Sequence, residues 1–193
     1  MKTLKLFLIP TIALVTIASC RSKKIPLAKQ TGAIEITVPF SGKDYQSDED
    51  FFRAKQSGKS PDLAAAKKIA LQNAKSELAS NIQSVIKKVT DQYTNQHTVG
   101  KDQDFENKFE ELSREVTDQS IANVSIKDEK IFQETDGGYT YWIAVEADKK
   151  TVFQQLDNKI SNDAKLKVDY DKAKFQQTFD DEMKKFADSQ QGQ

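Results

Sequence analysis

The chain has one cysteine, one histidine and one tryptophan among 193 residues, and each shortage removes a class of chemistry. A lone cysteine, Cys20, has no partner for an intramolecular disulfide, so no covalent staple is expected. A Ser-His-Asp or Cys-His site would have to use His97, which lies in the polar stretch Thr94-Asn95-Gln96-His97-Thr98, and no serine sits in a G-x-S-x-G elbow. Transition-metal sites draw on several His or Cys ligands, and the chain lacks them. No cofactor is expected either. Charge of one sign is missing too: 29 Lys and Arg balance 29 Asp and Glu. The lysine pairs at 67-68, 87-88, 149-150 and 184-185 are diluted by nearby acids, which excludes the concentrated basic surface that nucleic acid requires. After the first twenty residues no apolar run approaches the ~20 residues that a membrane-crossing helix needs.

The first twenty residues are different. Lys2 and Lys5 precede the apolar run Leu6 to Ile17, then Ala18 and Ser19, the layout of a secretory leader. Pro10 interrupts the run, which is too short for a permanent span. Ile17-Ala18-Ser19-Cys20 resembles the bacterial lipobox, in which an aliphatic and two small residues precede a cysteine that is lipidated and becomes the first residue. The expectation is cleavage before Cys20, acylation of its sulfur and attachment to a membrane. One acyl chain contributes about 0.8 kcal/mol per buried CH₂ and holds a protein only marginally, whereas the two or three chains of such lipoproteins hold it firmly. Arg21-Ser22-Lys23-Lys24 would lie beside the headgroups, each basic side chain adding about 1 kcal/mol on an anionic surface. Arg21 is not the acid that often marks retention or surface export, so the expected place is the outer membrane, facing the periplasm.

Residues 1–19 are therefore expected as leader, 20–32 as a lipidated flexible tether containing Pro26, and 188–193 as an untethered tail. Between them the pattern is mixed. Ile34, Ile36 and Val38 alternate with Glu35 and Thr37 as a half-buried strand does, Pro39 closes it, and Phe51-Phe52-Arg53-Ala54 follows as a second strand. Ser60-Pro61-Asp62 is a helix start, with a capping hydroxyl, a proline at no cost and an acid in the first turn. That helix should run from Pro61 to about Tyr93, with Leu71, Leu78, Ile82, Val85 and Val89 as an apolar stripe and Ala66, Ala70 and Ala74 as a smooth strip for close approach. Residues 94 to 104 break the pattern at Gly100, and Phe105, Phe109, Leu112 and Val116 resume it as the second arm of a helical hairpin.

Val124, Ile126 and Ile131-Phe132 then lead through Asp136-Gly137-Gly138 to Tyr139, Tyr141, Ile143 and Val145, which alternate with Thr140, Trp142, Ala144 and Glu146. This is a β-hairpin signal. Val152, Leu156 and Ile160 recur every fourth residue, and Tyr170, Phe175, Phe179, Met183 and Phe186 continue an aromatic helical face, with Ser161-Asn162-Asp163 as a cap between. The expected class is α+β, a small mainly antiparallel sheet packed by long helices in the order β-β-α-α-β-β-α. The domain should span 33–148 and a C-terminal helical extension 149–187, the latter a candidate pairing element.

Val38-Pro39-Phe40-Ser41-Gly42, Phe52-Arg53-Ala54, Ser57-Gly58-Lys59-Ser60, Ala66 to Ala74 with Leu78-Ala79, and Gly138 to Val145 together resemble the LPP20 family of bacterial lipoproteins, particularly members from the Bacteroidetes. The resemblance covers roughly residues 34 to 148. It implies an exported, membrane-anchored protein without a transferable catalytic motif, and the one position it carries over is the lipidated cysteine, Cys20.

Three kinds of feature remain as candidates for chemistry or recognition. The acid clusters Glu110-Glu111 and Asp180-Asp181-Glu182 sit within lysine-rich helix faces, where adjacent residues do not face each other as a catalytic pair must. Asp44 to Asp50 lacks the order of a calcium loop and reads as an acidic turn. Tyr139, Tyr141 and Trp142 form a candidate recognition surface, for which strand propensity and core packing are the competing explanation. The functional expectation is a membrane-anchored envelope lipoprotein with a structural or interaction role and no catalysis, bound to the membrane through Cys20 and to envelope proteins or copies of itself. The alternative is a lipoprotein that binds glycan, peptide or lipid on the aromatic strand 139–145.

Overall fold

Ten residues from Phe51, with Phe52, Ala54 and Gly58 buried on one face, form the first strand of the computed structural model, which describes residues 36–97, 103–168 and 170–191. The leader, Cys20, the tether and Ile34-Glu35 lie outside these. The strand is β1 (Phe51–Ser60), followed by α1 (Leu63–His97), α2 (Gln103–Ala122), β2 (Ser125–Gln133), β3 (Tyr139–Asp148), α3 (Lys149–Asn162) and α4 (Lys172–Gln191). The α+β class expected from the pattern is what the chain adopts: the three strands make one antiparallel sheet in the order β1-β3-β2 with helices packed on it.

The expected order needs three corrections among the described residues. Residues 36–38 of the strand foreseen at 34–38 take no regular structure. Alternation marks a segment that could be half-buried, but a strand exists only where a ladder partner is present. The second foreseen strand continues from Ala54 to Ser60, and the C-terminal stretch divides into two helices, giving β-α-α-β-β-α-α. The third concerns the two ends. The polar stretch from Thr94 stays helical through His97, and α4 runs to Gln191, past the tail foreseen from 188.

Local chemistry explains most boundaries. At the start of α1 the cap is Asp62, whose Oδ1 accepts the Ala65 N–H at 2.7 Å while its carbonyl accepts the Ala66 N–H at 2.9 Å. Ser60 Oγ instead accepts from the Asp62 N–H, so the hydroxyl foreseen as cap serves the turn before the helix. Asp148 caps α3 through the Thr151 N–H at 2.6 Å, and Asp171 caps α4 through the Lys174 N–H at 3.2 Å. The hairpin loop between β2 and β3 closes with the Glu134 N–H on the Gly138 carbonyl, and Gly137 takes φ 85°, a conformation that favours glycine.

One face of the sheet is laid against α1. Register places Phe52 beside Ala147, Ala54 beside Val145, Gln56 beside Ile143 and Gly58 beside Tyr141, all turned toward the helix. From α1 come Ala66, Ala70, Ala74, Leu78 and Ile82, fully buried at four-residue spacing. The alanines lie where the backbones nearly touch. A Cβ on Gly58 would stand 2.5 Å from the Ala66 carbonyl oxygen and 2.5 Å from the Ala70 amide nitrogen.

Farther along, Val85, Ile86, Val89 and Tyr93 carry the same face of α1 into a second part of the core, where α2 and α4 meet it. Phe175 of α4 is the centre of that part. Its ring lies 5.2 Å from Tyr93, 6.0 Å from Phe109, 6.4 Å from Phe153 and 5.5 Å from Tyr170, tying α4 to α1, α2 and α3. Residues 37–193 make one compact unit, and the helices foreseen as an extension beyond 148 share its hydrophobic core. An aromatic helical face has to be covered, and here the covering surface is the rest of the domain.

Two outcomes check this packing. Gly58→Ala should destabilise the fold by about 1–3 kcal/mol or more in urea unfolding, because two backbones must separate, whereas Gly42→Ala, with open space around it, should stay within about 0.5 kcal/mol of wild type. Phe175→Ala should lose about 3–5 kcal/mol, and a loss below about 1 kcal/mol would mean that α4 is peripheral.

Candidate interaction surface

The sheet leaves two edges, β1 and β2, and side chains treat them unequally. On β1 the main-chain groups that point away from β3 are taken at Phe51 and Arg53 and at the Ser57 carbonyl. Ser47 Oγ accepts from the Arg53 N–H at 2.9 Å and donates to the Arg53 carbonyl at 3.2 Å. Asn73 of α1 donates to the Ser57 carbonyl at 3.1 Å, Asp48 Oδ1 accepts from the Phe51 N–H at 2.9 Å, and the Asp48 N–H bonds the Phe51 carbonyl. No fourth strand can pair there without displacing them.

On β2 the corresponding groups are open. Because Asp128, Lys130 and Phe132 share the ladder with Ala144, Trp142 and Thr140, the residues between them, Glu129, Ile131 and Gln133, turn their main chain outward. Among the described residues the only bond to this outward set is local, from the Glu129 N–H to Asp128 Oδ1 at 2.8 Å. Ile126, Ile131 and Phe132 are 45%, 52% and 46% exposed, large apolar residues on a strand whose edge is bare. A bulge between Ile126 and Asp128 disturbs the first half of β2, and the run from Asp128 to Gln133 is regular.

That strand is held firmly from both faces. On the helix side Lys67 of α1 pairs with Glu129 at 2.8 Å and stands over the Tyr141 ring, and the hydrogen bond from Lys67 keeps the Glu129 carboxyl below its ordinary value against the opposing effect of burial. On the other side the Tyr45 hydroxyl donates to Asp128 at 2.6 Å, which lowers that carboxyl and raises the phenol.

Tyr45 belongs to a clasp over the outer face of the sheet. Phe40, buried despite its position near one end of the domain, packs its ring at 4.7 Å from that of Tyr45, tilted by 45°, receives Lys130 over its ring at 5.3 Å and gives its carbonyl to Lys55 at 2.7 Å. These contacts hold it at φ 63°, a left-handed conformation that costs a non-glycine residue about 1–2 kcal/mol. Arg53 fastens the same segment: its guanidinium reaches Asp48, the Gln46 carbonyl at 2.8 Å and Glu146 at 2.9 Å. Burial works against the Asp48 carboxylate, but the hydrogen bond from Arg53 and those from the Asp50 and Phe51 amides outweigh it and lower its pKa.

The three residues foreseen as a recognition surface are not on one face. Tyr139 and Tyr141 point toward α1, Tyr141 being only 4% exposed, while Trp142 lies half-buried on the outer face between Ser57 and Lys130. The alternation that made them noticeable is what separates them. Phe132, one diagonal step from Trp142 on the outer face, is the exposed aromatic of that region.

The acid clusters also disperse. Glu110 pairs with Arg114, Glu111 with Lys108, Asp180 with Lys149 and Glu182 with Lys185, each to its own cation. Asp44 to Asp50 forms the turn that starts β1, with the Asp48 carboxylate committed to Arg53 and backbone amides. Among the described residues no group of three or more His, Cys, Asp or Glu is placed to hold a metal ion. Two open clefts of about 400 Å³ each lie between α1 and α2, lined by Lys87 and Arg114, and beside the start of α3, lined by Lys149 and Lys150; Arg114 and Lys149 are held by Glu110 and Asp180. No helix among the described residues is long and apolar enough to cross a membrane. The edge of β2 and the Arg53 clasp escaped sequence reasoning. The only sign of the first was Ile131 and Phe132 standing side by side, which alternation cannot bury together.

The clasp carries a pH signature. A carboxylate whose pKa is lowered by folding adds stability above its unfolded value, about 3.9, and that contribution vanishes as pH falls through the lower folded value. Arg53→Met should therefore cost about 2–3 kcal/mol at neutral pH and flatten the acid limb of the stability profile below about pH 4, as read by urea unfolding from pH 7 to pH 2. No family model, no curated protein and no solved structure matches the chain.

Proposed function

We propose that the protein is a lipid-anchored lipoprotein of the bacterial envelope, attached through Cys20 to the outer membrane on its periplasmic side, and that it works by binding polypeptide rather than by catalysis. The observation that carries the binding role is the contrast between the two sheet edges: β1 is blocked at Phe51, Arg53 and Ser57 by Asp48, Ser47 and Asn73, while β2 presents unpaired main chain from Glu129 to Gln133 beside the exposed Ile126, Ile131 and Phe132. Strand addition to such an edge gives affinity through main-chain hydrogen bonds and selectivity through the alternating side chains. The anchor rests on Ile17-Ala18-Ser19-Cys20 behind an apolar leader, and the resemblance to the LPP20 family of lipoproteins agrees with it.

Physically the two parts complement each other. Acyl chains confine the domain to a surface and raise its concentration beside other envelope components, so a modest edge contact becomes sufficient. The charged groups best placed for chemistry are instead committed to ion pairs that hold the fold, such as Arg53 with Glu146 and Lys67 with Glu129.

Mass spectrometry of protein purified from membranes tests the anchor. The expected result is an N-terminus at Cys20 carrying acyl chains, with Cys20→Ser protein lacking them and leaving the membrane fraction. A free Cys20 thiol in membrane-bound protein would overturn the assignment.

A further inference from the structure

The open edge of β2 has a sequence that fits itself. We propose that the partner of this edge is β2 of a second copy of the chain, paired antiparallel about a twofold axis through Ile131, which joins the two three-stranded sheets into one continuous sheet. The proposal deepens the polypeptide-binding role by naming its partner.

An antiparallel pair between two identical edges must use the outward-turned residues Glu129, Ile131 and Gln133 on both sides. With the axis on Ile131, that residue meets its own copy on the helix-facing side, joining two side chains that are each 52% exposed. Glu129 then stands opposite Gln133 of the second copy, a pairing without like charges. On the outer face Phe132, 46% exposed, lies opposite Lys130 of the second copy, whose ammonium stays over Phe40 while its aliphatic stem meets the Phe132 ring, and symmetry repeats this contact. The regular half of β2, from Glu129 to Gln133, is thereby paired throughout.

Neighbouring registers are worse for stated reasons. An axis on Lys130 sets that lysine against itself, and an axis on Glu129 does the same with a carboxylate. A shift toward Phe132 leaves only Ile131 to Gln133 paired within the strand, which ends at Gln133. The bulge at Ile126/Asp128 prevents pairing from extending the other way. Lys67 and Tyr45 already hold Glu129 and Asp128 in place, so little ordering is required of the edge when the second copy arrives.

A short strand pair alone is a small interface, below the roughly 1,200–2,000 Å² of stable complexes, so the dimer is expected where the chains are concentrated on a membrane surface. The test uses the mature chain on vesicles of phosphatidylethanolamine and phosphatidylglycerol, with sedimentation reporting attachment and oxidation reporting pairing. Cα atoms of a hydrogen-bonded antiparallel pair stand about 5.5 Å apart, within the reach of a disulfide. Ile131→Cys should therefore form a disulfide dimer at least about tenfold faster than Lys59→Cys, whose residue lies exposed on β1. Ile131→Pro removes an N–H that no intrachain bond uses, so the monomer keeps its ladder while edge pairing is lost. In that background a cysteine at Gln133 together with one at Glu129 should cross-link at least about tenfold more slowly than the same cysteines beside Ile131. Ile131→Lys, which opposes like charges across the axis, gives the same reading without proline.

Equal cross-linking of Ile131→Cys and Lys59→Cys on vesicles overturns the proposal, and so does a cross-link that survives both Ile131→Pro and Ile131→Lys. Preferential cross-linking of Ile131→Cys by protein that does not sediment with vesicles upholds the pairing and overturns only the anchor. Attachment without preferential cross-linking leaves the anchor standing and removes the second copy as partner.

Discussion

The closeness of two backbones at Gly58 governs how the whole domain is assembled. Helix α1 rests on β1 and β3 at a height set by Ala66, Ala70 and Ala74, and at Gly58 even a methyl group would meet main chain. Contact at that distance aligns a 35-residue helix with a small sheet along much of its length. The free part of α1, from Val85 to Tyr93, is thereby aimed at α2 and α4. Burying a large aliphatic side chain contributes roughly 1.5–3 kcal/mol, so the row from Leu78 to Val89 is a major part of what holds the helix down. The alanines add little burial each but set the geometry in which the larger residues meet.

The same placement explains why the sheet is lopsided. The helix lies over β1 and β3, close enough to β1 for Asn73 to reach a main-chain carbonyl on its edge. The segment from Phe40 to Asp48 covers the opposite face and blocks the same edge at Arg53 through Ser47. Strand β2 receives one cation from α1 and one phenol from the clasp, enough to fix its position and too little to cover its edge. Exposed main chain in a firmly held strand is a binding element that needs no pocket. The interaction role proposed for the chain rests on that asymmetry and not on the aromatic residues of β3, one of which is core.

Much of this architecture was legible from local pattern, and what escaped has a common cause. The strand from Tyr139, the stripes of α1 and α2, and the helical faces through Leu156 and Phe179 were all visible as periodicity, because each faces one side of a boundary between core and water. Periodicity says that a face is covered without saying by what. It therefore marked residues 36–38 as part of a strand, stopped β1 at Ala54, and treated the aromatic run from Phe175 to Phe186 as an appendage when its covering surface was Tyr93, Phe109 and Phe153. The role of Gly58 could not be read locally either, since nothing nearby in sequence distinguishes a glycine that bends the chain from one that admits a neighbour.

By itself the sequence determined the class of fold, the positions of most helices and of the β2-β3 hairpin, and the shortage of histidine and cysteine that narrows the chemistry open to the chain. These depend on composition and on spacings of two to four residues, which neighbours along the chain decide. Only the tertiary structure decided that Asp62 rather than Ser60 caps α1, that Tyr141 and Trp142 part to opposite faces, and that the edge of β1 is blocked at Phe51, Arg53 and Ser57 while that of β2 is open. Each of the last two turns on register and on donors brought from distant positions, and the energy of such a contact exists only once the whole chain has folded around it.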